Sequence, residues 1–399
     1  MSDEATEGGA RTPLIAPPTL RTEEGRSASR LELFFDLAYV LVVAELATAF
    51  ALDLTWHGAF VFAGLFAITW WSWVTITLYA NRFDTNDVIF RLVKLAGTFA
   101  VVVTAASAPT AIGLDAAIFT LGYLASRVLL FGLYARAWRH VPEARTTIGI
   151  YLAGSGAGAG VWALSLLVPA PLKYGLWAAG VLVEAAAPVL ATRFGRDVPL
   201  HLEHLPERFG LFVILVLGES VASVVTGLHD THFRLVSVGV AALGFLLTAA
   251  LWWSYFDLGG AAGKHRLEED EDDSERSWMP DAYVYGHLPL VVGLGAVGVG
   301  IEQFIAHPTE GLSPGGRWAL CAGASLFVLG TALVLAGTSR SWRAAWPWPA
   351  LAIPLMLALG WLDELGPVLL IALLARLVVL VVVTGIIKQR RGELETVET

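Results

Sequence analysis

Along this chain, apolar runs of about 20 residues alternate with short polar stretches that hold most of the charges. A helix rises about 1.5 Å per residue, so about 20 apolar residues are what the hydrocarbon core of a bilayer demands. Twelve such runs can be drawn, at 31–52, 56–79, 92–112, 114–134, 148–169, 174–192, 209–228, 235–256, 283–305, 318–336, 344–362 and 367–387. The third and fourth, and the eleventh and twelfth, are parted by only a few residues, so ten or eleven spans also fit. The pattern predicts an all-α integral membrane protein of about twelve transmembrane helices.

Composition agrees. The 399 residues are 56% apolar and only 15% charged, against about 25% charged in a soluble domain. The net charge of −9 comes largely from two acidic stretches, seven acids between Glu268 and Glu275 and five before Arg26. It therefore describes solvated segments and argues against nucleic acid as a partner. With Cys321 as its single cysteine, the chain can form no internal disulfide.

Loop charge orients the spans. With the N-terminus inside, 21 of the 26 Lys and Arg fall in inner segments, and only Lys173, Arg234 and Arg317 fall outside; Arg127 and Arg376 lie within spans. Basic residues gather on the cytoplasmic side, so both termini are expected in the cytoplasm of a multi-pass protein of the cell inner membrane. Trp56, Trp138, Trp318, Trp346 and Trp361 fall near span ends, where interfacial indoles belong. The expected organisation is a cytosolic tail without structure at 1–30, a first six-helix unit at 31–192, a linker at 193–208, a second unit at 209–387 with an acidic cytosolic loop at 258–282, and a tail at 388–399.

The two units read as repeats. Arg30-x-x-Leu33-Phe34-x-x-Leu37 opens the first span and Arg208-x-x-Leu211-Phe212-x-x-Leu215 opens the seventh. Trp70-Trp71-Ser72-Trp73 and Trp252-Trp253-Ser254-Tyr255 follow in the second and eighth. An even number of helices per unit makes the repeats parallel, related by an axis along the membrane normal.

Four motifs carry a family resemblance: Arg30-Leu-Glu32-Leu-Phe34-Phe35-Asp36; Arg82-Phe83-Asp84-x-x-Asp87; His204-x-x-Glu207-Arg208 running to Leu217-Gly218-Glu219-Ser220; and Tyr285-x-His287-x-Pro289. In this order, from residue 30 to about 290, the chain resembles the bacterial low temperature requirement protein A family. The resemblance implies a polytopic inner-membrane protein named for a cold-growth phenotype, and it assigns no biochemical activity. A fainter likeness links the first span to potassium channels with Arg-x-x-x-Phe-Ser-Asp on the first helix of a six-helix repeat. Here Phe35 replaces the Ser, and in the second unit Ile214 stands at the Asp position.

Ionisable groups inside spans are the candidate chemistry, because each costs roughly 2.5 to 3.5 kcal/mol to insert and so faces a partner or a cavity. Glu184 and Glu219 lie ten residues into their spans and Arg376 nine, all near the midplane. Asp36 is about 8 Å past the inner interface by helical rise. It shares a face with Glu32, while Glu45 falls on the opposite face. In one reading Asp36, Glu32, Glu184, Glu219, Arg376 and His287 line a polar path for an ion or proton. In the other, Arg127 and Arg376 neutralise the acids as static pairs. Gly293-x-Gly295-x-x-Gly298 matches a dinucleotide-binding pattern but sits inside an apolar span with no preceding strand, which makes it helix packing, as are Gly154, Gly156, Gly158 and Gly160.

The function expected is a secondary transporter or ion permeation protein with midplane carboxylates. A non-transporting scaffold or stress-adaptation protein is the alternative, and a membrane-embedded transferase ranks last for want of a nucleophile and base. No enzyme activity, catalytic residue, cofactor or metal is expected. The expected partners are the lipid bilayer and a small ion or solute; a homo-oligomer stays open.

Overall fold

The computed structural model describes residues 14–21, 29–194, 204–260, 279–309, 313–339 and 347–390. The acidic run Glu268 to Glu275, Trp346 and both chain ends lie outside the described residues.

Among the described residues twelve α-helices follow in order: α1 Arg30–Leu52, α2 Trp56–Arg82, α3 Val88–Ser107, α4 Ala116–His140, α5 Arg145–Ser165, α6 Leu172–Phe194, α7 His204–Asp230, α8 Leu235–Trp253, α9 Met279–Ala306, α10 Pro314–Ser339, α11 Pro347–Trp361 and α12 Pro367–Arg390. Eleven are long and apolar enough to cross a membrane. The exception is α11, whose 15 described residues reach about 22 Å; the first three residues of the expected span 344–362 lie outside the described residues. A π-helical turn at Ser254–Gly260 continues α8.

Several helices begin where side chains supply missing acceptors for the first-turn N–H groups. Ser29 and Glu32 form a reciprocal capping box at α1. Thr55 caps α2, and Asp87 caps α3 by accepting from the Phe90 N–H at 3.0 Å. The Asp87 cap starts α3 at Val88, four residues before the apolar run.

The surface is apolar, unlike that of a soluble protein, and the few charges within the helices sit inside an otherwise apolar core. Phe34, Leu37 and Leu41 on α1 are exposed, while Asp36, Lys94, Arg127, Glu184 and Arg208 are buried at 1–2% exposure. Lipid accepts the apolar exterior, and the charged groups avoid it by turning inward. The tightest seam joins α9 and α10 through glycines. A Cβ on Gly293 would meet the Gly323 carbonyl oxygen at 2.5 Å, and one on Gly330 would meet the Leu290 nitrogen at 2.5 Å. The glycines of 293–298, and Gly154 and Gly158 of α5, are thus packing positions, as their spacing predicts; a Cβ on Gly156 would make only an ordinary contact with the Phe131 ring at 3.9 Å, and Gly160 faces open space, against expectation.

The segment 14–21 departs from the expected unstructured tail. Its strand β1 (Thr19–Leu20) pairs antiparallel with β2 (Phe83–Asp84), Thr19 opposite Asp84 and Leu20 opposite Phe83. The Val88 N–H also donates to the Leu14 carbonyl at 3.1 Å. Pro17 and Pro18 favour an extended backbone, and the α2–α3 link offers unpaired backbone groups to meet it.

Candidate functional site

The first-half core contains two charge clusters with a cavity beside them. On α1, Glu32 gives Oε2 to the Ser29 N–H at 2.8 Å, so its carboxylate serves the helix cap. One turn on, Asp36 Oδ1 accepts from the Trp73 indole of α2 at 2.9 Å and from Arg208 of α7 at 3.0 Å. Its Oδ2 has no hydrogen-bond partner. That carboxylate floors a groove of about 410 Å³ between α1 and α7, walled by Leu33, Phe34, Leu37, Leu211 and Leu215. Lys94 of α3 completes the cluster, with its ammonium 4.1 Å from the centre of the Phe35 ring.

The second cluster joins α2, α4 and α6. Arg127 is fully inside α4, not near a span end, and its guanidinium bridges three helices. It reaches Glu184 Oε2 at 3.2 Å, Thr75 at 2.7 Å and Ser72 Oγ at 2.7 Å. The Tyr123 hydroxyl donates to the same Glu184 oxygen at 2.8 Å. Gly158 makes room for this carboxylate, since a Cβ there would stand 2.3 Å from Glu184 Cγ. Of the arginine pairings the sequence left open, this is the one the fold makes.

The other candidates stand apart. His287 on α9 is fully buried, with Nε2 2.9 Å from the Tyr255 hydroxyl and Nδ1 2.6 Å from its own helix's Tyr283 carbonyl. This arrangement suits a neutral ring with Nδ1 protonated. Arg376 lies on an exposed face of α12 and Glu45 on one of α1, so neither joins a cluster. Glu219 on α7 is partly buried beside exposed Gly218 and interacts electrostatically with Glu302 of α9. No ion pair is made by either acid among the described residues.

The remaining motif residues build one end of the bundle. Arg136 of α4 grips Asp87 with two bonds, Nη1 to Oδ1 at 2.9 Å and Nη2 to Oδ2 at 2.6 Å, and also donates to the Ala16 carbonyl. The Arg136 guanidinium holds the Asp87 carboxyl below the usual carboxylate range. Arg82 is buried with its guanidinium 4.9 Å from the Tyr151 ring centre, Asp84 lies in β2, and Arg30 lines the mouth of the α1–α7 groove. Glu207, next to Arg208, is exposed.

Sequence reasoning missed Lys94 and Glu302 as site residues, and it missed Arg208 as a partner for Asp36. Counting loop charge had assigned Lys94 and Arg208 to inner segments. The fold places Lys94 seven residues into α3 and Arg208 five into α7. Lys94 already falls just inside the 92–112 run, and the cap signature at Asp87 is the signal that starts the helix at Val88 and sets Lys94 a further turn from its end.

In comparison with known proteins, no solved structure matches this chain. It is 30% identical over 328 residues to uncharacterized protein RA0937 of Rhizobium meliloti (strain 1021), a match that covers 78% of each chain. The family described as Bacterial low temperature requirement A protein (LtrA) matches residues 27–385. These bounds take in all four motifs and every described helix except the last residues of α12, and the chain belongs to that family.

Proposed function

We propose that this protein is a secondary transporter or ion-permeation protein without enzymatic activity. The observation that carries the reading is the set of acids along the α7–α9 seam. Glu219 and Glu302 sense one another there, Ser223 sits beside Glu302, and Asp230 adds a further acid to the same field. Carboxylates in a bilayer without a bonded counter-charge need a proton, a cation or water, and exchanging these is what a coupling site does. Glu219 lies 11 residues before Asp230, about 16 Å along the helix, so the acids step from mid-helix to the helix end.

Two parallel six-helix repeats fit this reading. Packing partners recur between halves: α1 with α2 and α3 as α7 with α8 and α9, α3 with α4 as α9 with α10, α4 with α5 as α10 with α11, and α2 with α6 as α8 with α12. The short α11 would take the place of α5 as a twelfth span. Loop charge supports an inner-membrane orientation with both termini cytoplasmic.

The test is ion and solute flux into proteoliposomes, with and without a pH gradient. Glu219→Gln keeps the shape and removes the charge, so flux or its pH dependence should fall at least tenfold while insertion and purification stay normal. Unchanged flux and pH dependence would take Glu219 out of the mechanism. A non-transporting scaffold is the second reading. It is favoured by the closed Asp36–Arg208 and Glu184–Arg127 pairs, and it predicts no flux above that of empty vesicles.

A further inference from the structure

We propose that the first half binds a small monovalent anion, of halide size and charge, in the cavity between Lys94 and Arg127. Both cations line this cavity, together with the Ser72, Thr75 and Ser126 hydroxyls. Glu32, Asp36 and Glu184 do not reach it: the lining contains two positive side chains and no carboxylate. That polarity selects against a cation.

Lys94 is the group that asks for a ligand. Arg208 touches Asp36 and Arg127 touches Glu184, whereas the Lys94 ammonium is 1% exposed and has no hydrogen-bond partner. The Phe35 ring covers one side of it, which leaves N–H donors for the cavity. An ammonium buried without an acceptor is strongly disfavoured, and an anion in the cavity would supply that acceptor. Arg127 is held still by Glu184, Thr75 and Ser72, and its Nε also lacks a partner. The free space, about 20 Å³ measured to the centre of a water-sized sphere, exceeds the roughly 10 to 15 Å³ that one water needs. It therefore admits a single small species. Arg127 contacts a carboxylate, whereas Lys94 feels Glu32 and Asp36 only at a distance and contacts neither, so one contacting negative charge is what the cavity lacks.

This site stands whether or not the protein transports, so it is tested by binding in detergent with no gradient. The purified protein is titrated with sodium bromide against sodium gluconate at equal ionic strength, and its melting temperature is followed. A saturable rise in bromide alone is expected, with the apparent affinity at least tenfold weaker in Lys94→Met. Lys94→Arg, which keeps charge and donors, should retain part of the response. If Lys94→Met fails to fold, the anomalous signal of bromide in wild-type crystals decides the matter: a peak between Lys94 and Arg127 supports the site. Water alone in the cavity, or identical melting in bromide and gluconate, overturns it.

Discussion

Asp36 receives two donors on one oxygen, Trp73 from α2 and Arg208 from the other half of the chain. A buried ion pair is worth little against an apolar pair, but breaking it by removing one partner strands the other at a cost of about 3–5 kcal/mol. Arg208→Met should therefore destabilise the protein by an amount in that range, and adding Asp36→Asn should recover a large part of it. Melting temperatures of the two single variants and the double variant in one detergent test this. Equal loss in Arg208→Met and in the double variant would show that the pair is not the cause. The sequence revealed that Asp36 needed a counter-charge but not which one, because 172 positions separate it from Arg208 and no helical periodicity links residues that far apart. Glu184 and Arg127 were legible as a possible pair, since both interrupt apolar runs. Lys94 was not, because it stands only two residues past the start of the 92–112 run, beside Arg91, where a basic residue reads as part of the inner loop.

Among the elements, the segment 14–21 and α3 depend on one carboxylate. Asp87 caps α3, binds the Ala16 N–H at 3.3 Å and takes both bonds of the Arg136 fork. Its pKa in the fold is depressed below the ordinary value of about 3.9. The carboxylate form is thus the one the fold binds, and the contribution is complete above that ordinary value and fades as pH falls below it. Melting temperature should decline more steeply below about pH 4 in the wild type than in Asp87→Asn, which should itself be less stable at neutral pH. Parallel acid slopes in the two proteins would remove Asp87 as the cause. The helices themselves were readable from apolar run length, and their boundaries moved wherever a cap or a buried charge extended them. The docked strand was not readable, since two residues pairing through backbone groups leave no pattern in side chains.

Over the whole molecule, the two ends of the bundle carry different neighbours. The α2–α3 link, the end of α4 and the segment 14–21 meet at Asp87. At the start of α2, some 40 Å away by helical rise, Trp56 packs on Trp318 and Trp318 on Trp361. Leu54 there abuts Gly315. The described loops at each end are those that strict alternation of spans gathers there, and apolar length made eleven of the twelve expected spans legible. A membrane-impermeant thiol reagent added to intact cells should label Glu364→Cys and leave His140→Cys unlabelled. The reverse pattern would invert the orientation. Buried Cys321 adds little background.

The Asp36–Arg208 bond also sets a timetable for biogenesis. A ribosome adding about 5–20 residues per second delivers α7 roughly 10 to 30 s after α1. Through that interval the Trp73 indole is the one hydrogen-bond donor to Asp36 already synthesised, and its charge has no contacting arginine. The first six helices hold Asp36 with the Trp73 indole and the more distant charge of Lys94 alone, and the contacting cation comes only with the seventh helix. Docking of the halves is thereby tied to the order of synthesis, and a chain that stops after α6 leaves Asp36 without its ion pair.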